Sequence, residues 1–542
     1  MDACRIGRIR NRYRLPNLLR QEQGRLDRVC ALALEDMLET ALERAAVPLH
    51  EEICIRNVHA TVRLRLSRSD SDLAVVWSLA LAEALAQMIR ERRPGVVRYS
   101  SRHHALVDLL ASVAAGDRAR VWAWRQLGMW PRRDHVTGAA AAIDEALLTL
   151  AREARAAPAV LAEVARNGLL APLLRAVNPE LWERVARAAL EAARASPSLA
   201  IPDAAPPPAS TAIARRAIRI VGDSALIRGA AATLNLGRVD QGLGRTIAVL
   251  GTLEADPGVL LASDAQARAL LGAIEAWFAA GGMSEPASIS YDAHHDLPSR
   301  APVDAGDEVA TPAITIVPQD ATGGSRATAN ASAVTRSMAD RIPAARDDTH
   351  HDLPGRAPVE PDDDAATRGS PIPDVRRRAT TLAGGMLFLL HLVVERGFPE
   401  AILASATLSV RSLRWVMHQL ALALVPLEPR DPAALGFAGL GPTDEPPSRR
   451  EPEPTEAERV AINALRARLI EALWVRLGRP DEAQDVLLDR VCRRRAEVAA
   501  DPGWIELRLL LDEVSIEVRR AGLDLDPGWL PWLGVVVRFA YA

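Results

Sequence analysis

Near the start of the chain, apolar and polar residues alternate. Ile9, Asn11, Tyr13 and Leu15 interleave with Arg8, Arg10, Arg12 and Arg14 until Pro16. Period two predicts a strand with one wet, basic face. From residue 24 the step changes to three and four: Leu26, Val29, Leu32, Leu34, Met37 and Leu38 describe an amphipathic helix over 24–45. A second alternation at Val58, Ala60, Val62, Leu64 and Leu66, with His59, Thr61, Arg63 and Arg65 opposite, predicts a second strand. Ser69-Asp70 then suits the N-cap of an apolar-faced helix over 72–91. Together these elements predict a small strand-helix-strand cap.

Beyond it, residues 104–197 are rich in Ala, Leu, Glu and Arg, with prolines at Pro131, Pro158, Pro172, Pro179 and Pro197, which predicts a stack of short helices. Ile201 to Ser210 reads as a stiff hinge. Between 282 and 376 aromatic residues nearly vanish and Pro, Asp, Ser, Thr, Gly and Ala take over, leaving too little apolar area to offset the entropy of ordering. At the far end Trp504–Leu511 has strand character, Asp512 caps a short helix that Gly522 closes, and Val535–Tyr541 is β-branched and aromatic. The expected fold is mainly α and multi-domain, with small α+β units at both termini and a long disordered central linker. Its divisions are an α/β cap over 1–95, a helical domain over 96–200, the hinge at 201–210, a helical segment over 211–281 and the linker over 282–376. An apolar helical domain over 377–440, a second linker at 441–455, and helices with a β-containing module over 456–542 complete it.

The composition narrows the chemistry. At 542 residues and 49% hydrophobic, the chain can bury several cores. All 66 basic residues are arginine, so Schiff-base, P-loop and kinase-type lysines are excluded. A formal charge of -3 gives no global pull toward nucleic acid or an anionic membrane, which points to protein partners. The cysteines Cys4, Cys30, Cys54 and Cys492 lack C-x-x-C spacing and read as reduced small hydrophobes in a cytoplasm. The N-terminus MDACRIGRIR has no apolar core of a signal peptide. Leu382–Val394 stops well short of the roughly 20 residues that span a bilayer, so it reads as a buried helix and no stable membrane insertion is expected.

The motifs that look chemical have plainer readings. HHDLPSRAPV at 294–303 recurs as HHDLPGRAPV at 350–359, but both histidine pairs fall in the linker, where no fixed second shell holds ligands. Asp362-Asp363-Asp364 lies there too, without cation-ligand spacing. A duplicated spacer or docking motif is the better account. His103-His104 reads as a polar helix start. The ladder Arg8, Arg10, Arg12, Arg14 suits an acidic partner protein better than phosphates, because no stacking aromatics share its face. No H-E-x-x-H, G-x-S-x-G or G-x-G-x-x-G occurs, so neither enzyme nor cofactor nor metal is expected. Tryptophan clusters at Trp122, Trp124 and Trp130 and at Trp504, Trp529 and Trp532 mark cores or, where exposed, docking anchors; Trp529 and Trp532 join the arginines as candidate partner contacts.

Three stretches carry a resemblance. Leu382-Ala383-Gly384-Gly385-Met386-Leu387-Phe388-Leu389-Leu390, Leu435-Gly436-Phe437-Ala438-Gly439-Leu440, and Gly503-Trp504 through Leu530-Pro531-Trp532 to Tyr541 resemble segments of the tape-measure proteins of contractile injection systems, bacterial phage-tail-like particles. The family's asparagine and proline around the apolar stretch are missing here. The resemblance implies a non-enzymatic structural protein that sets tail length, with tube or baseplate proteins as partners; a homo-oligomer is a further possible partner state. With 37 prolines a fully helical ruler is excluded, so compact end modules joined by extended linkers are expected. A cytoplasmic helical adaptor or assembly chaperone is the other expectation.

Overall fold

Ser69 caps the first long helix as its position predicts: its side chain accepts the Asp72 N–H, and α3 (Asp70–Arg90) follows. The computed structural model describes the chain apart from residues 1–5, 7, 8, 10, 16–20, 48–50, 132–135, 137, 176, 177, 203–206, 234–240, 262, 281–375, 450, 481, 514 and 542. The amphipathic stretch before α3 forms α1 (Gln23–Leu32) and α2 (Leu38–Arg44), joined by a π-helical turn over Ala33–Met37. Both pack on α3, whose Ala74, Ser78, Ala82 and Ala86, four apart, are buried against them. Among the described residues α3 is the one helix long and apolar enough to cross a membrane.

Over their described residues the alternating segments do not form the strands expected of them. Residues 11–15 and 58–65 have no regular secondary structure. Tyr13 instead donates to Asp27 at 2.6 Å and sets its ring edge-on to Trp77, which ties its segment to the helices. The cap's strands are β1 (Glu52–Ile55) and β2 (Val96–Tyr99), an antiparallel ribbon. Alternation supplies one good face, but a strand also needs a ladder partner, and here the partner went to other residues.

Among the described residues ten α-helices follow: α4 (Arg102–Ala114), α5 (Val121–Gln126), α6 (Ala139–Arg152), α7 (Ala157–Arg166), α8 (Leu170–Arg175), α9 (Pro179–Ala192), α10 (Thr211–Asp223), α11 (Ala225–Thr233), α12 (Gln241–Ala255) and α13 (Asp264–Ala279). Prolines mark starts here, as Pro158 and Pro179 sit in the first turns of α7 and α9, where their missing N–H costs nothing. One continuous core runs through this half and buries Trp124 and Trp182 completely.

The second half opens with β3 (Arg377–Thr381). A 3-10 segment Gly384–Leu389 leads into α14 (Leu390–Glu395), then α15 (Phe398–Ala404), α16 (Leu413–Leu424), α17 (Pro432–Phe437), α18 (Glu456–Leu477) and α19 (Gln484–Cys492). The chain ends in β4 (Ala496–Asp501), β5 (Trp504–Leu509), α20 (Ile516–Arg520), β6 (Gly528–Leu530) and β7 (Val535–Tyr541). The sheet order is β3-β4-β5-β7-β6, with β5 and β7 parallel and the other pairs antiparallel. β5, α20 and β7 fall where the sequence places them, but Ser515 and not Asp512 caps α20: its side chain accepts the Val518 N–H, while Asp512 lies in a 3-10 turn over Leu511–Glu513. β3 corrects the expectation of an all-helical domain over 377–440, and β4 is a strand ahead of the strand character read from Trp504. The apolar stretch Ala383–Val393 is buried as expected, around a second core.

Described residues on the two sides of 281–375 form one compact unit rather than separate end modules. The expected linker, with both histidine pairs and the three aspartates, lies outside the described residues.

Candidate functional site

The two halves meet through polar groups. At the start of α4 the Ser101 side chain accepts the His104 N–H, placing Ser100 and His103 against the β4–β5 turn. Ser100 Oγ donates to Asp501 Oδ1 at 3.0 Å, and His103 Nδ1 lies 2.8 Å from the Pro502 carbonyl with its ring edge-on to Trp504. Arg376 bridges the same corner, donating to Ser100 O at 2.9 Å and to Glu506 at 2.6 Å. Burial is the main influence on His103 and holds its pKa below the usual histidine value, so the ring is neutral at pH 7.

A second set of contacts leaves α10. Arg216 donates to Asp256 at 2.9 Å and to the Ser409 carbonyl at 2.9 Å; Arg219 reaches Glu451 at 3.0 Å and the Val410 carbonyl at 3.0 Å. Glu451 also accepts from Ser412, the N-cap of α16, at 2.5 Å. Burial pushes the Glu451 carboxyl up, against the pull of Arg219 and Ser412. Gly258 completes the fit: a Cβ there would lie 1.9 Å from Leu413 Cδ1.

Between these contacts lies a cavity of about 470 Å³, walled by α7, α10, α12, the Gly439–Pro447 loop, Trp504 and Trp529. Its carboxylates are mostly committed. Glu254 accepts the N–H groups of Ala225 and Leu226 and faces Arg166, Asp256 pairs with Arg216, and Asp444 with Arg377. Arg414, the second residue of α16, makes one hydrogen bond, from Nη2 to the Leu533 carbonyl at 3.1 Å, and its Nε is buried without a partner. Burial pushes its pKa below the usual guanidinium range, partly offset by Asp256, Glu254, Asp444 and Asp223.

The sequence-predicted contacts are not brought together here. Arg12 and Arg14 are exposed on the segment beside α1, and Arg8 and Arg10 lie outside the described residues. Trp532 is buried in the second core. Trp529 is half-buried and committed within the chain, donating Nε1 to Ala192 O at 2.8 Å, with Arg155 6.0 Å over its ring. His103 and His104 stand in the first turn of α4, the helix start the sequence suggests, and both are buried. Among the described residues no group of three or more His, Cys, Asp or Glu is placed to hold a metal ion. Cys54 and Cys492 are buried free thiols, pushed up to about 12 by burial. Sequence reasoning missed the cavity altogether: its walls come from segments hundreds of residues apart, and Arg414 is one of 66 basic residues. No protein-family model, curated protein or solved structure matches the chain.

Proposed function

We propose that this chain is a non-enzymatic structural and assembly protein of a bacterial contractile injection particle, a tape measure or length-determining scaffold. One observation carries the reading. The three stretches that resemble the tape-measure family, distant in sequence, are a single packing unit. Gly436 lies against Leu387, Gly439 against Leu533, and Gly384 against Ala496 and Leu507. Phe388 and Phe539 close the unit edge to face, 5.1 Å apart. They behave as parts of one module.

The fold changes how such a protein would measure length. Both ends of the 281–375 insertion are held by one body, so a gauge that leaves the body intact reaches out and back. At about 3.3 Å per residue that limits its reach to roughly 150 Å. A longer gauge requires the polar junction to open. The same closed body favours the second reading, a cytoplasmic helical adaptor or chaperone that binds tube or baseplate proteins without entering the particle.

Mass spectrometry of purified particles separates the two. A gauge is found in the particle and an adaptor is not. Deleting Asp292–Arg346, which includes one copy of the repeat, is expected to shorten particles in electron micrographs; unchanged length counts against the gauge.

A further inference from the structure

We propose that the cavity between the two halves is a binding site for a small polyanion bearing phosphate or carboxylate groups, with Arg414 as the inner anchor and Arg155 and Arg228 at its mouth. The inference is independent of the particle reading. It starts from a charge in an unfavourable place. Arg414 stands in the first turn of α16, a twelve-residue helix, where the helix dipole is positive and a cation is repelled. Among the described residues no carboxylate lies within 4 Å of it, its one hydrogen bond goes to a neutral carbonyl, and its Nε is buried unpaired. A partly desolvated charge without a counter-ion costs several kcal/mol in general, so such groups are ordinarily paired. An anion in the cavity would meet both the guanidinium and the helix terminus, turning two unfavourable terms into favourable ones.

Two further arginines line the same cavity without a carboxylate partner among the described residues. Arg155 follows α6 and lies over the Trp529 ring, and Arg228 on α11 donates to the Gly222 carbonyl at 2.6 Å. Both are exposed, which places them on the solvent side. Among the described residues the cavity's carboxylates form no ion pair with these three cations: Glu163 and Glu254 face Arg166, Asp256 faces Arg216, Asp444 Arg377, Glu445 Arg449 and Glu451 Arg219, Asp501 accepts from the Ser100 hydroxyl, and Asp256, Glu254, Asp444 and Asp223 act on Arg414 only from longer range. Guanidinium forks match phosphate and carboxylate oxygens in pairs. A volume of about 470 Å³ admits a small molecule and not a folded partner.

Calorimetric titration of the full chain with pyrophosphate and, separately, with citrate tests this. Saturable one-to-one binding of at least one probe is expected, weakened at least tenfold in Arg414→Gln and unchanged in Arg459→Gln, which lies on exposed surface outside the cavity. Binding of pyrophosphate alone assigns the phosphate class, and of citrate alone the carboxylate class. Helical circular dichroism is compared first. Should Arg414→Gln fail to fold, the exposed double variant Arg155→Gln/Arg228→Gln carries the test, with a loss of at least threefold expected. No saturable binding of either probe at millimolar concentration, or equal binding by wild type and cavity variants, overturns the proposal.

Discussion

A methyl group added at Gly385 would lie 2.0 Å from the carbonyl oxygen of Val491, a backbone atom that cannot step aside as a side chain can. Gly385→Ala is therefore expected to cost about 3 kcal/mol, read as a lower urea midpoint at unchanged slope. Gly222 is the contrast. It is helical, with nothing within 4 Å of an added Cβ, so Gly222→Ala should raise stability by about 0.5 kcal/mol through the unfolded chain. His103 gives the pH dependence at this scale. Its folded pKa is depressed, so the native ring stays neutral while the unfolded ring takes up a proton below about pH 6.5. Its contribution is thus fully present above that pH and is lost as pH falls toward the native value. His418 is depressed by burial in the same sense, whereas Asp108 and Glu451, raised by burial, act oppositely and favour the native state as pH falls. The melting temperature should drop between pH 7 and 5.5, and His103→Gln should make that drop shallower. A variant profile parallel to wild type removes His103 as a cause.

At the scale of elements, α18 offers the sharpest test, because its start is a full capping box: Thr455 Oγ1 accepts the Glu458 N–H, and Glu458 accepts the Thr455 N–H at 2.8 Å. Thr455→Ala should cost about 1 kcal/mol. Glu458→Ala should cost more, roughly 2–3 kcal/mol, since it also strips Arg411 of a two-point ion pair at 2.7 and 3.0 Å. Equal losses in urea melts would mean that the ion pair adds nothing. Elements of this kind were legible in the sequence because their signals are local: the Ser69 cap, the apolar steps of α1–α3, Gly522 after α20 and the β-branched run of β7. β4 was not. Ala496–Asp501 is alanine-rich and reads as helix, but it is paired on both edges and mostly buried, so ladder hydrogen bonds override propensity and no period of two survives. Residues 11–15 failed in the opposite way, with a strand pattern and no partner edge among the described residues. The cavity had no local signal, because its walls come from segments hundreds of residues apart that only folding brings together.

For the whole molecule, the decisive feature is that residues on either side of 281–375 close on each other while keeping separate apolar cores. Such a joint is held mainly by specific polar contacts and shape, as between domains of one chain. Deleting Asp292–Arg346 shortens the insertion by a little more than half, which by loop-closure entropy favours the native state by only about 0.7 kcal/mol. Thermal stability should then match wild type to within a few degrees, so a particle-length change in that variant reports on reach and not on misfolding. A stricter test removes the insertion as a covalent link. Residues 1–280 and 376–542, expressed as two chains, are expected to co-elute as a one-to-one complex. Arg216, Arg219, Arg376, His103 and Trp529 each carry a contact across the joint. Pairing Arg216→Ala with Arg219→Ala removes the donors to the Ser409 and Val410 carbonyls, leaves Glu451 without its α10 partner, and should weaken the complex at least tenfold, mostly by faster dissociation. If the two chains fold and elute apart, the joint is weak enough to open under modest load, and the roughly 150 Å limit on a closed gauge no longer applies.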